Sequence, residues 1–118
     1  MLKEKRKQEF QQRFARLLPY IRLHERALEW FGEQTDENVL LAAEKALLDM
    51  NYSVYPQSGW RRISGTEFEE IRFTKDYRIY FLVNGNIKYV MTIGHKNSQL
   101  QDIDWLRRQR NPLGAFAT

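Results

Sequence analysis

One local signal constrains this chain more than any other. Asn84-Gly85 lies between two runs rich in β-branched and aromatic residues, Tyr77–Val83 and Ile87–Ile93. A two-residue loop between antiparallel strands needs positive φ, which Asn and Gly tolerate, and its twist matches that of the strands it joins. The pattern predicts a β-hairpin. If Asn84 and Gly85 are the loop, Tyr80 falls opposite Tyr89, and Arg78 opposite Met91. Phe68–Thr74 has the same composition and reads as a further strand, so the period is strand-like from Trp60 onward.

Ahead of the hairpin the period is helical. Phe10, Phe14, Leu17, Leu18 and Ile21 recur at three- and four-residue steps within a polar background. Pro19 interrupts this stripe, and a helix can begin again there, because proline suits a first turn. Leu23, Ala27 and Trp30, with Leu28 and Phe31 beside them, continue the stripe to Gly32, a C-cap candidate. Thr35 is the expected N-cap of the next helix, with Asp36 and Glu37 in its first turn. Val39, Ala43, Leu47 and Met50 form its buried stripe, ending near Asn51. Tyr52–Tyr55 suits a short strand, and Pro56-Gln57-Ser58-Gly59 a turn. Beyond the hairpin, Gly94–Asn97 closes the last strand, Ser98 is an N-cap candidate, and Pro112 and Gly114 mark a loose tail.

These elements predict one α+β domain over residues 1–118. Residues 1–51 are mainly helical, 52–96 form an antiparallel sheet, 98–110 a C-terminal helix and 111–118 a tail, with the helices packed on the sheet. The length of 118 residues and a hydrophobic fraction of 42% supply one core rather than two. The absence of cysteine excludes a disulfide scaffold, a thiolate metal site and a cysteine nucleophile, and fits a reducing cytoplasm. The basic Met1–Lys7 is followed by no apolar h-region, so no secretory signal is expected. No apolar run reaches the roughly 18–20 residues that a bilayer demands, and no membrane partner is expected.

The net charge is +4. Residues 1–30 carry 8 Lys/Arg against 4 Glu, residues 31–60 carry 1 against 5 acidic residues, and residues 61–118 carry 10 against 6. Basic surfaces flanking an acidic middle suit a polyanion or an acidic protein partner, although a merely solvated surface has the same composition.

Strand alternation sorts the hairpin side chains. Arg78, Tyr80 and Leu82 share a face with Tyr89, Met91, Ile93 and His95. Tyr77, Ile79, Phe81 and Val83 point the other way with Val90 and Thr92, and Ile79, Phe81 and Val83 make that the core face. The first face is then open and carries Arg78, two tyrosines and a histidine, with Arg72 joining from the preceding strand. Guanidinium groups fork onto phosphate and bases stack on rings, so this set suits RNA. The plainer reading is a solvated strand with ordinary cross-strand pairs. His95 and Lys96 follow the last strand, and a histidine there can exchange protons at neutral pH. His24 reads as structural. Two histidines without cysteine make a poor zinc site, and no partner completes a magnesium site around Glu67, Glu69 and Glu70. With no glycine-rich phosphate loop either, no cofactor is expected.

The segment Trp60–Arg108 resembles the RelE/ParE toxin superfamily, particularly its HigB-like addiction-module killer proteins. The likeness rests on Arg62-Ile63-Ser64-Gly65, Glu70-Ile71-Arg72, Asp76-Tyr77-Arg78-Ile79-Tyr80-Phe81, Gly94-His95-Lys96-Asn97-Ser98-Gln99 and Asp102-Ile103, in order and spacing. The resemblance implies the toxin of a type II toxin–antitoxin system: a metal-independent endoribonuclease that cleaves free or ribosome-bound mRNA and is held by a cognate protein antitoxin. It implies that the RNA 2′-hydroxyl attacks the adjacent phosphodiester. Arg78 would grip the scissile phosphate, Lys96 would stabilise its developing charge, and His95 would act as acid or base. Arg72, Tyr80, Tyr89 and Arg62 would contact substrate. Two features depart from the family pattern. No opening strand is evident, and Glu70 stands where ribonucleases of this group often carry a basic residue. A non-catalytic member of the same fold, a gyrase inhibitor of the ParE branch or a degenerate adaptor, is the alternative.

Overall fold

The computed structural model describes residues 2–52 and 59–116. The elements run α1 (Leu2–Leu17), β1 (Ile21–Leu23), α2 (Glu25–Glu33), α3 (Glu37–Asn51), β2 (Arg61–Arg62), β3 (Glu69–Phe73), β4 (Tyr77–Asn84), β5 (Ile87–His95) and α4 (Gln99–Arg107). Single 3₁₀ turns cover Lys96–Ser98 and Pro112–Phe116. The strands form one sheet in the order β1-β5-β4-β3-β2. All its pairings are antiparallel except β1 with β5, which is parallel, so the sheet is mixed. The expected α+β class holds. Of the short strand expected at Tyr52–Tyr55, Tyr52 caps α3 instead, and the rest, with most of the turn at 56–59, lies outside the described residues.

The aromatic stripe foreseen for the first helix forms the heart of the main core. Phe10, Phe14 and Phe31 pack with ring centroids 5.0–5.6 Å apart. Ala43, Leu47 and Met50 of α3 join them over Ile71, Ile79, Phe81, Val90 and Ile93 of the sheet. Gly32 does not cap α2 but lies inside it. A Cβ there would stand 2.7 Å from Lys7 Cγ and 3.2 Å from Lys3 O, so glycine lets α1 and α2 approach closely. The cap falls to Gln34. Nor does Thr35 cap α3; Asp36 does, accepting from the Asn38 and Val39 N–H groups.

The segment after Pro19 is a strand rather than a renewed helix. Lys88 N donates to Tyr20 O at 2.9 Å and His24 N to Val90 O at 2.8 Å, which stitches Ile21–Leu23 along β5. The hairpin forms, with its turn one residue later than expected. Asn84 pairs with Ile87, so the loop is Gly85-Asn86. Gly85 has φ +64° and Asn86 no positive φ, the pattern of a turn with glycine at its first central position.

A β-bulge then changes the faces. Phe81 pairs with Val90 but Tyr80 with Thr92, which leaves Met91 as an extra residue on β5. Beyond it the alternation flips. Ile93 and His95 therefore join Tyr77, Ile79 and Phe81 on the helix-covered face, and Thr92 joins Arg78 and Tyr80, contrary to unbroken alternation.

The face expected to be open is covered. α4 and the last 3₁₀ turn lay Leu106, Ile103, Trp105, Leu113 and Phe116 over Tyr80, Leu82, Tyr89 and Met91. The stretch Pro112–Phe116 is thus packed rather than loose: Phe116 meets Tyr89 at 4.9 Å and His24 at 5.8 Å. Among the described residues, no helix is long and apolar enough to cross a membrane.

Candidate functional site

The register gathers part of the expected site at one end of the sheet. Arg72 on β3 is directly opposite Arg78 on β4, and Arg78 is opposite Gly94 on β5. His95 and Lys96 follow at once. The β3–β4 turn and the end of β5 are tied together there. Lys96 N donates to Asp76 O at 2.6 Å, and Lys96 Nζ pairs with Asp76 Oδ1 at 3.1 Å. The hydrogen bond from Lys96 is the main cause that holds the Asp76 carboxyl below its ordinary pKa.

Arg78 is 6% exposed, and Arg72 beside it is exposed. The Arg78 Nη1 donates to Tyr77 O at 3.2 Å, while its Nε is buried without a hydrogen-bond partner. Glu70, two residues before Arg72 on the same face, is also buried. Gln99 Nε2 donates to its Oε2 at 3.3 Å, and Arg61 Nη1 stands 3.9 Å from its Oε1. Gln99 and the Arg61 guanidinium thus give Glu70 polar partners where it is buried. The strand alternation that paired Glu70 with Arg72 was the available signal for its place; Gln99 and Arg61 carried none.

Other expected members stand apart. Tyr80 has no exposed surface, and its hydroxyl has no partner. Burial first, and then the charges of Asp102 and Glu70, push its pKa far above the ordinary tyrosine value. It is core rather than a stacking platform. Tyr89 is half-buried against Phe116 near the hairpin end. Arg62 pairs with Glu69, whose side chain has the opposite parity to Arg72, so Arg62 belongs to the other face. His95 also lies across the sheet from Arg78. Its ring meets Tyr77 edge-on at 5.1 Å, and its Nδ1 accepts the Asn97 N–H at 3.1 Å.

Beneath α4 a polar contact lies beside the apolar one. Asp102, 5% exposed, accepts from Ser98 Oγ at 2.9 Å and from Arg26 Nη2 at 3.2 Å. Arg26 Nε reaches Thr92 Oγ1 at 3.2 Å, and its guanidinium lies 4.5 Å from the Trp105 ring centroid. Ser98, expected as an N-cap, stands at that position but makes no side-chain cap bond; its Oγ lies within hydrogen-bond reach of His95 O and Asp102 Oδ2, and its one proton serves one of them at a time. Among the described residues, no three His, Asp or Glu side chains gather as metal ligands would.

No protein-family model matches the chain, and a search of curated proteins finds no match. Among solved structures, the solution structure of the conserved hypothetical protein HP0894 from Helicobacter pylori is similar, with TM-score 0.50 and 18% identity, over 65% of this chain and 93% of that one. At that identity the likeness shows a shared α+β fold and nothing further.

Proposed function

We propose that this chain is a toxin-type endoribonuclease whose substrate phosphate sits at the end of the sheet that carries Arg72, Arg78 and Lys96. One observation carries the reading: Arg72 and Arg78 are directly opposite each other on neighbouring strands, and Lys96 follows at the same end of the next strand. Two neighbouring guanidinium groups offer a phosphate forked hydrogen-bond donors, and the Lys96 ammonium adds a point charge. The resemblance over Trp60–Arg108 supplies the chemistry. The 2′-hydroxyl attacks the adjacent phosphorus, the 5′-oxygen leaves, and a 2′,3′-cyclic phosphate results. The proton lost from the 2′-oxygen is matched by one gained at the leaving oxygen. The cations stabilise charge that builds on the non-bridging oxygens in the transition state.

The test is cleavage of free and ribosome-bound RNA by purified protein in EDTA, with transcript ends mapped. Lys96→Ala and Arg72→Ala alter exposed side chains and should each slow cleavage about 10²–10³-fold, the usual effect of one lost transition-state contact. Arg78→Lys should restore only part of what Arg78→Ala loses, because lysine lacks the planar fork. Full activity in variants shown to be folded by circular dichroism would refute the assignment. A second reading, a non-catalytic gyrase inhibitor or adaptor of the same fold, is favoured by the buried Glu70, whose charge opposes phosphate binding. The gyrase inhibitor predicts growth arrest without RNA cleavage, and the adaptor predicts normal growth. In both readings a protein antitoxin with an acidic or amphipathic segment is the expected partner; co-purification from a native host tests it.

A further inference from the structure

At the hairpin end of the sheet, away from Arg72 and Arg78, a largely buried lysine stands beside two hydrogen-bond donors that are buried without acceptors. Lys88 is 6% exposed and lies on the helix-covered face, with Ile21 and Val83 as its strand neighbours. Its Nζ stands 5.7 Å from the Trp60 ring centroid. Burial alone lowers its pKa, and no carboxylate opposes that effect. Trp60 Nε1 and Asn51 Nδ2 are buried and unpartnered. Asn51 has spent its other polar atom, because Oδ1 accepts from Tyr20 N at 2.8 Å. Tyr20 O in turn accepts from Lys88 N at 2.9 Å, so Asn51 and Lys88 flank a single residue. Trp60 packs edge-on against Phe81, at 5.2 Å, on the face that Lys88 shares. The three groups therefore meet in one corner, where the end of α3 reaches the sheet.

An ammonium, an indole N–H and an amide N–H demand a ligand that only accepts hydrogen bonds. One cation calls for one negative charge. The surroundings narrow the source. Tyr20 and Tyr52 flank Asn51, Leu48 lies one turn before Tyr52, and Val83 is opposite Lys88; these four are 42%, 63%, 40% and 38% exposed. A nucleic acid presents a row of charges and wants several cations, whereas a buried donor set inside an apolar rim matches the anatomy of a protein–protein anchor. We infer that this corner is a socket for one carboxylate side chain of a partner polypeptide, whose flanking apolar residues rest on Tyr20, Leu48, Tyr52 and Val83. The socket does not rest on the ribonuclease reading.

The probe is an acetylated, amidated peptide Ala-Leu-Glu-Leu-Ala, compared with its Gln counterpart and with hexauridylate. The readout is the ¹H–¹⁵N indole resonance of Trp60, one of three tryptophans, assigned through Trp60→Phe. The Glu peptide should shift that resonance and bind at least tenfold more tightly than the Gln peptide, and hexauridylate should leave it in place. Lys88→Met keeps the aliphatic shape and removes the unpaired buried charge. It should abolish discrimination between the peptides while raising the thermal midpoint, since a buried charge without a partner destabilises a fold. Equal binding of the two peptides, no shift with either, a shift with hexauridylate alone, or a lowered midpoint in Lys88→Met would each overturn the socket. RNA cleavage does not enter this readout, so the two proposals fail separately.

Discussion

Gly94→Ala tests how α4 is fastened over the sheet. A Cβ on Gly94 would overlap Asp102 Oδ2 and stand 3.0 Å from Ser98 Oγ and 3.2 Å from Asp102 Cγ. Neither neighbour can yield freely, because Asp102 is held by Ser98 at 2.9 Å and by Arg26 at 3.2 Å. Overpacking of a tight site costs about 1–3 kcal/mol. A hydrogen bond to a charged group contributes about 1.5–3 kcal/mol when it is lost. The expected cost of Gly94→Ala is therefore about 3 kcal/mol, a large part of the roughly 5–15 kcal/mol that holds a domain together. Urea unfolding followed by circular dichroism measures it, with a shifted midpoint and an unchanged slope. The cause is separated by a double-mutant cycle with Asp102→Ala, which removes the clashing carboxylate. The added methyl should then cost at least 1 kcal/mol less than it does alone, well beyond the roughly 0.3–0.5 kcal/mol scatter of independent sites. A Gly94→Ala cost below about 1 kcal/mol, or strict additivity, would refute the close-approach argument.

Two further outcomes are expected. Burial, more than any other cause, lowers the His24 pKa from 6.5, and Nδ1 must stay unprotonated to accept the Arg26 N–H that caps α2. The folded state thus binds fewer protons than the unfolded one, so this contribution is complete above pH 6.5 and is lost as pH falls through the lowered folded value. Thermal midpoints from pH 7.5 to 5 should fall more steeply for wild type than for His24→Asn, which keeps a capping acceptor; parallel curves would refute this. Thr74, a β-branched residue at φ 51°, is strained in the β3–β4 turn, and its Oγ1 accepts the Asp76 N–H. Thr74→Asn keeps an acceptor and tolerates the left-handed region, so it should stabilise by about 0.5–1 kcal/mol in urea unfolding; a destabilised variant would show that the turn is not strained.

What was legible in the sequence follows from how local each cause is. Helical stripes such as Phe10–Phe14 and Ala43–Leu47–Met50 carry their own periodicity, and the hairpin carries its turn. The loop moved by one residue because Asn84-Gly85 and Gly85-Asn86 both suit a two-residue turn, and the pairing of β4 with β5 decides between them. The bulge at Met91 had no local mark, since Val90–Ile93 contains three apolar residues and could face either way at each. β1 is three residues long, and it is a strand because β5 pairs with it, not because Ile-Arg-Leu prefers to be one.

The candidate site was harder to read because burial of a polar residue depends on partners far away in sequence. Arg72 and Arg78 were correctly set on one face by their spacing, but that face looked open, since nothing local announces that α4 will cover it. α4 buries fully only Asp102 and Leu106, so its own pattern gives a weak apolar stripe. The cover is held through Arg26, 76 residues from Asp102. Three cations are buried among the described residues: Arg78, Lys88 and Lys7, the last of which pairs with Glu25. Arg78 lies diagonally across β3–β4 from the buried carboxylate of Glu70, so its charge is partly balanced from within the fold. Among the described residues, Lys88 stands beside the Trp60 ring with Ile21 and Val83 as its strand neighbours. A methionine would fill its place at lower cost, so the lysine is best explained by an anion that arrives from outside.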